Sequence, residues 1–400
     1  MKEYISGKPT FHLRQIIYKK ENKSDVFPFN HGTCYFFHSA RYALAAGIRA
    51  LGLRNGDAVL LPSYNCWTEI DPFLISKINP IFYNIRKNLT TDLDDLSRKI
   101  TNNVKAILIT HFLGFPQPVE EIKSICKQRD LFLIEDCAHA LLSSCDEKYL
   151  GSSGDLAIFS LLKTIPIPNG GALVINNEDI KFRQDFKKPT LFPTIFYAAE
   201  LLKYRTWSTD HSIKENLIKF LFDVSYVFLS SLRLILAGFR KYFNPKGLYL
   251  VKPDSYLFIE DLRAWRISDL SKRIINKTNF EEVKIIRRKN FDYLLDHFLK
   301  NGRGTLPFHE LPPGVCPLFF PIIIEDPKKR DSMYRVLKSK GVVTHPWWNR
   351  FHPIVPWDQF PDAVYLKQRL FGLPIHQDLN SLFLDRVIKE FEEANKIIRS

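Results

Sequence analysis

The stretch from Phe132 to Asn177 decides the fold. It opens with Phe132-Leu133-Ile134-Glu135-Asp136-Cys137-Ala138-His139-Ala140, passes through Gly151-Ser152-Ser153-Gly154-Asp155, and reaches Ala157-Ile158-Phe159-Ser160-Leu161-Leu162-Lys163 before Gly170-Gly171-Ala172. An apolar run of strand length that ends in two acids reads as a buried strand of a parallel sheet. Open α/β sheets bind their ligands beyond the carboxyl ends of the strands, which is where Asp136 falls. An acid and a lysine are thereby brought toward one crevice.

The alternation continues upstream. Ser39 to Leu53 has a helical period, Ala58 to Pro62 is a buried strand, and Trp67 to Ile78 is a second helix. A strand at Ile81 to Tyr83, a helix at Leu93 to Ile100, a strand at Val104 to Thr110, a helix at Val119 to Gln128 and a strand at Leu131 to Glu135 follow. Strand and helix periods taking turns predict one large, mostly parallel α/β/α domain over residues 1–182.

Residues 183–253 break the rhythm. They are rich in Phe, Leu, Tyr and basic side chains, carry few turn signals after Pro193, and read as a helical insertion. Residues 254–400 carry a long charged helical pattern from Ile267 to Lys300 with room for an interruption. Strands near Pro317 to Ile324 and Gly341 to His345 and a final amphipathic helix complete a smaller C-terminal α+β domain.

Composition narrows the class. The chain has 400 residues, 45% apolar and 25% charged, which excludes a small stapled scaffold, wholesale disorder and a membrane-filling bundle. A net charge of +14 favours an anionic partner: a phosphorylated small molecule, nucleic acid or an acidic membrane face. No nucleic-acid motif accompanies it, and the basic residues are spread rather than clustered, so no nucleic-acid partner is expected. The six cysteines form no CxxC pair and no regular ligand spacing with histidine, so neither a metal site nor a disulfide framework is expected. The first thirty residues lack the apolar core of a signal peptide, and the mid-chain apolar stretch between Asp223 and Arg233 is too short to span a bilayer. A cytoplasmic location is the expectation.

Four features in order resemble the DegT/DnrJ/EryC1/StrS family of pyridoxal-phosphate-dependent sugar aminotransferases, whose fold is PLP-dependent transferase fold type I. Ser39-Ala40-Arg41-Tyr42-Ala43-Leu44, followed by Leu51-Gly52-Leu53-Arg54-Asn55-Gly56-Asp57, is similar to the family's S-G-T-x-A-L phosphate turn and the linker after it. Leu61-Pro62-Ser63-Tyr64 resembles its V-P-S-F strand end, and Ile134 to His139 its x-E-D-x-A-H/Q. Lys163 stands seven residues before Gly170, the family's spacing between its reactive lysine and a Gly-Gly turn.

The resemblance implies roles. Pyridoxal phosphate needs an amine to condense with its aldehyde and to shuttle a proton, which falls to Lys163. It needs a carboxylate to keep its ring nitrogen protonated, which falls to Asp136, while His139 stands beside the phenolic oxygen. The turn of Ser39, Ala40 and Arg41 offers amide groups to the phosphate, and Ser160 matches the serine that joins them. Arg41 replaces a small threonine and either adds a charged contact or points elsewhere. The family's ring-stacking aromatic falls at Cys66, leaving Tyr64 or Trp67 as its substitute. Ala264-Trp265-Arg266-Ile267-Ser268-Asp269 resembles N-Y-R-M-S-D without the asparagine that crosses the dimer interface.

The activity so implied is transfer of an amino group from an amino acid, expectedly glutamate, to a nucleotide-linked keto sugar by a homodimer, in cell-surface polysaccharide or related amino-sugar biosynthesis. Two further readings stay open from the residues themselves. The cluster His345, Trp347, Trp348, Arg350 and His352 either faces the substrate or packs an interdomain loop. Residues 215–245 combine an apolar helical stripe with flanking Lys and Arg, so they either lie on an acidic membrane or pack on the core or a second subunit. A family member that has lost catalysis and docks through this insertion is the alternative to an enzyme.

Overall fold

The computed structural model describes residues 4–10, 25–190, 194–198, 201, 258–302 and 305–399. Residues 215–245, and most of the insertion expected at 183–253, lie outside the described residues.

A seven-stranded sheet forms the large domain. Its strands are β1 (Cys34–Phe37), β2 (Ala58–Pro62), β3 (Asn79–Tyr83), β4 (Val104–Thr110), β5 (Phe132–Asp136), β8 (Leu156–Phe159) and β9 (Gly171–Ile175), with a short hairpin of β6 (Ser144–Cys145) and β7 (Lys148–Tyr149) between β5 and β8. Their order across the sheet is β1-β9-β8-β5-β4-β2-β3. From β3 to β8 all neighbours are parallel, while β9 and β1 are antiparallel additions at one edge. The segments Ala58–Pro62 and Leu156–Phe159 are buried throughout, as strands covered on both faces must be.

The crossover helices end where the backbone demands it. Helix α1 (Ala40–Ala50) begins behind Ser39 and stops before Gly52, whose φ is +68°, so it is shorter than the Ser39–Leu53 span expected. Helix α2 (Trp67–Ile75) stops ahead of Lys77, which takes a positive φ, and β3 then starts at Asn79 rather than Ile81. Helices α3 (Leu93–Arg98) and α4 (Val119–Arg129) complete this half. After β8 the chain makes only a single turn, α5 (Leu161–Thr164).

The smaller lobe is α+β. The long charged pattern divides into α6 (Asp269–Lys277) and α7 (Phe280–Asn301), because Asn279 caps the second helix through the amide of Glu282 at 3.2 Å. A three-stranded sheet of order β10-β12-β11 follows, from β10 (Phe320–Ile323), β11 (His345–Pro346) and β12 (Leu370–Leu373). It is flanked by α8 (Pro327–Ser339), α9 (Pro361–Arg369) and α10 (Ser381–Arg399). The strand expected at Gly341–His345 is reduced to two residues, and the central strand β12 was not expected. Among the described residues no helix is long and apolar enough to cross a membrane.

Two tethers join distant parts of the chain. Ile5 pairs with Val342 and His376 bonds the Ser6 carbonyl at 2.9 Å, so the amino-terminal segment lies across the smaller lobe. Lys187 donates to the Ala264 carbonyl at 2.8 Å and accepts from Arg266 at 2.9 Å, so the chain that departs after Lys187 returns directly beside it.

Candidate active site

Strands β4, β5 and β8 deliver their carboxyl ends to one cavity of about 300 Å³. Its walls include Ser39, Ala40 and Arg41 from the start of α1, Asp136 and His139 from the end of β5, and Ser160 and Lys163 around α5. The sequence-expected residues from these separate segments are thus gathered in one place. Tyr64 and Trp67 are not in the lining. Tyr64 is buried, its hydroxyl donating to the Trp347 carbonyl at 2.9 Å, and the Trp67 ring packs 4.6 Å from His352.

The turn at Ser39 has a specific cause. Phe37, at the end of β1, pairs with Gly171 at the start of β9, and the chain then crosses over that glycine into α1. A Cβ at Gly171 would come within 2.2 Å of the Ala40 nitrogen. Gly171 therefore lets the first turn of α1 lie flat on β9. Ser39 is the N-cap, yet its side chain makes no capping bond, and its Oγ is buried without a partner.

Lys163 reaches the cavity from the single turn after β8. The following loop is held down by Asn169, whose Oδ1 accepts from the Ser268 amide at 3.1 Å and from the Ser271 hydroxyl at 2.8 Å. Gln377 adds a bond to the Thr164 carbonyl at 3.0 Å. The loop after Lys163 is accordingly anchored at both its polar ends. Burial pushes the Lys163 ammonium below the usual lysine range, with the charges of Cys66, Asp136 and Glu69 opposing it. A neutral amine is therefore easier to reach than on an exposed lysine.

Asp136 accepts a hydrogen bond from the Ala138 amide at 2.7 Å. Burial raises its carboxyl, and the Lys163 charge works against that rise. Its neighbour Glu135 faces elsewhere, accepting from His111 and from the amides of Gly151 and Ser153, each at 2.9 Å, so it holds the Gly151–Gly154 loop. His139 accepts from the Leu113 amide through Nδ1 at 3.3 Å, which places its proton on Nε2. That nitrogen has no partner, and burial pushes the ring well below the usual histidine range, so it is neutral.

Several wall residues were not singled out from the sequence. Glu69 and Thr68 enter from the first turn of α2, Thr110 from the end of β4, and Lys8 from the amino-terminal segment. The only signal for Glu69 was its place as the one charged residue between Asp57 and Asp71. The smaller lobe closes the cavity with His345, Trp347 and Trp348, and both indoles stand 4.9 Å from the His139 ring. Trp347 also lies 5.7 Å from the Lys163 amine. Of the cluster's two readings, these three residues follow the first, facing the cavity. Behind them the buried Lys367 donates to the carbonyls of Asn65, Trp348 and Arg350 at 2.8, 3.3 and 3.0 Å, tying the end of β2 to the tryptophan loop.

The cavity walls also carry unpartnered polar atoms. Ser39 Oγ, His139 Nε2 and Trp347 Nε1 are all shielded from solvent, lack hydrogen-bond partners and belong to residues of this one lining. Buried polar groups are almost always satisfied, so such a concentration marks where a polar ligand sits.

Comparisons with known proteins place the chain among similar sequences and folds. Residues 29–185 match the sequence profile of the DegT/DnrJ/EryC1/StrS aminotransferase family. The chain is 36% identical over 141 residues to a GDP-perosamine synthase of Escherichia coli O157:H7, covering 34% of this chain and 39% of that protein. It is 25% identical over 368 residues to a dTDP-4-dehydro-2,3,6-trideoxy-D-glucose 4-aminotransferase of Saccharopolyspora spinosa, covering 90% of this chain and 83% of that one. The match thus spans about two fifths of the length of the GDP-perosamine synthase. Among solved structures, the PLP form of a putative sugar aminotransferase, Spr1654 of Streptococcus pneumoniae, superposes with a TM-score of 0.65 at 14% identity over 99% of both chains. The aminotransferase TlmJ of Streptoalloteichus hindustanus gives a TM-score of 0.61 at 20% identity over 92% of this chain and 86% of that one. The fold is PLP-dependent transferase fold type I.

Proposed function

We propose that this chain, which belongs to the DegT/DnrJ/EryC1/StrS aminotransferase family across residues 29–185, is a pyridoxal-phosphate-dependent aminotransferase. It moves an amino group from an amino acid, glutamate, to a keto sugar carried on a nucleotide, in amino-sugar or cell-surface polysaccharide biosynthesis. The observation that carries this reading is the meeting of Lys163 and Asp136, from two different strand ends, in a cavity whose other walls present unpartnered polar atoms. The names of the relatives support a sugar substrate, and the PLP and PMP forms of Spr1654 support the cofactor.

The residues present fit that cofactor. The amides at the start of α1 and the orphaned Ser39 Oγ offer donors to a phosphate, with Ser160 beside them and the Arg41 guanidinium as an added charge. Asp136 pairs with a protonated ring nitrogen, and the Nε2–H of His139 is free for the phenolic oxygen. When bound, the cofactor supplies an aldehyde and a conjugated ring that draws electrons from the substrate carbon. Lys163 Nζ removes the proton from that carbon and returns one at the next position, a task suited to an amine whose charge burial has made costly. Trp347 and Trp348 shield the reacting atoms from water. We extend the reading to a homodimer in the cytoplasm.

The test is optical and chemical. Incubation with pyridoxal phosphate is expected to give a yellow protein, and borohydride to fix the label on the peptide containing Lys163. Glutamate is then expected to bleach the colour, and a nucleotide-linked keto sugar to restore it. A colourless chain that takes up no cofactor would overturn the reading.

A further inference from the structure

The proposed reaction uses one carboxylate, Asp136, but the cavity holds two. Glu69, 5% exposed, stands in the first turn of α2, and the Thr110 hydroxyl donates to its Oε1 at 2.9 Å. Thr110 ends β4 and is paired with Asp136 at the end of β5, so Glu69 is bonded to the residue next to Asp136 across the parallel ladder. Its other oxygen, Oε2, is buried with no N–H or hydroxyl donor on it, and the Glu69 carboxyl lies within hydrogen-bonding reach of Asp136.

The surroundings offer too little positive charge for two carboxylates. Lys163 from α5 faces both acids; Arg41 from α1 and Lys8 from the amino-terminal segment also line the cavity, but neither is among the main charges acting on either carboxyl. Cys66, the N-cap of α2, and Tyr83 from β3 face Glu69 without adding a cation, and His111, just past β4, is bound to Glu135. Lys367 from α9 also lies nearby, but its ammonium is spent on three carbonyls. Adjacent carboxyls shielded from water and sharing one ammonium keep one proton between them. Burial and the Asp136 charge both drive the Glu69 carboxyl well above its ordinary range. On Asp136, Lys163 and the Ala138 amide oppose the rise caused by burial.

We propose that Glu69 carries a proton on Oε2 at neutral pH and donates it to Asp136, acting as a positioning residue that orients the carboxylate and leaves the pair with one negative charge. The consequence rests on the reading that Asp136 meets the cofactor's ring nitrogen, but the proton itself does not.

Infrared difference spectroscopy on the cofactor-free full chain is the direct test. A neutral carboxylic-acid carbonyl band is expected near neutral pH, shifting when glutamate side chains carry ¹³C at the carboxyl and disappearing in Glu69→Gln. Absence of the band, or a band indifferent to the glutamate label, would overturn the proposal, and the label needs no variant to fold. Glutamine mimics a protonated glutamate, so Glu69→Gln is expected to keep cofactor affinity within about threefold, while Glu69→Ala loses about tenfold or more. Equal damage from both variants would count against it. A glutamate band in a chain that takes up no pyridoxal phosphate would sustain the proton and defeat the functional reading, so the two failures are separable.

Discussion

Gly171 lies against the peptide nitrogen of Ala40 so closely that a methyl group on it would stand 2.2 Å away. The spacing from Lys163 to the Gly-Gly pair is thus a statement about geometry: eight residues bring the chain from the amine to Gly171, where β9 passes beneath the start of α1. Gly171→Ala has to displace that turn. Unfolding stability is expected to fall by about 1–3 kcal/mol, and cofactor affinity with it, since the displaced amides are the proposed phosphate donors. Denaturant melts and an absorbance titration measure the two.

Lys163→Ala should behave differently. The substitution removes an ammonium that burial disfavours, so the variant is expected to melt no lower than the parent, while losing the borohydride-fixed label and about 10⁴-fold or more in turnover. A variant that kept the label would place the reactive amine elsewhere.

Four buried histidines set the acid limit, His139 among them with its ring held well below the usual range. Burial pushes His38, His345 and His376 down to about 4 from the usual 6.5. The open chain takes up their protons below pH 6.5 and the folded chain does not, so this share of stability is complete above pH 6.5 and drains away toward pH 4. Each histidine contributes a slope of about 1.4 kcal/mol per pH unit inside that window. Urea midpoints measured from pH 7 to 4.5 are expected to fall accordingly, and more gently in His38→Gln.

Lys367 predicts an alkaline signature of the same sense, in a higher window. Its ammonium is pushed down from 10.5 to about 8 by burial. Between those values the unfolded chain holds a proton that the folded chain has shed, so the penalty felt below pH 8 is released as pH climbs. Lys367→Met leaves three carbonyls without a donor and is expected to destabilise by about 1–3 kcal/mol near neutrality. The parent's advantage over the variant should widen from pH 8 to 10. A constant gap would contradict the linkage.

Much of this was legible in the amino-acid order, and the exceptions have physical causes. Ala58–Pro62 and Val104–Thr110 were read with their observed bounds because a continuous apolar run between turn residues leaves one option. Strand β12 escaped because Leu370-Phe371-Gly372-Leu373 follows α9 with no intervening turn signal. Lys163, Asp136 and the Ser39 turn could be grouped because the topology of an open sheet gathers strand ends. Glu69 could not, since an acid on a helix ordinarily faces water and only the neighbouring ladder buries this one. Tyr64 and Trp67 were offered to the cavity, but side-chain direction at a strand end depends on what packs there, and the indoles of Trp347 and Trp348 supply the aromatic wall instead.

The hydrogen bonds that join Lys187 to Ala264 and Arg266 act like a clasp. With that clasp closed, the two chain ends that flank the intervening segment are held together independently of it, so the floor on which Lys163 and Asp136 stand does not depend on that segment for its closure.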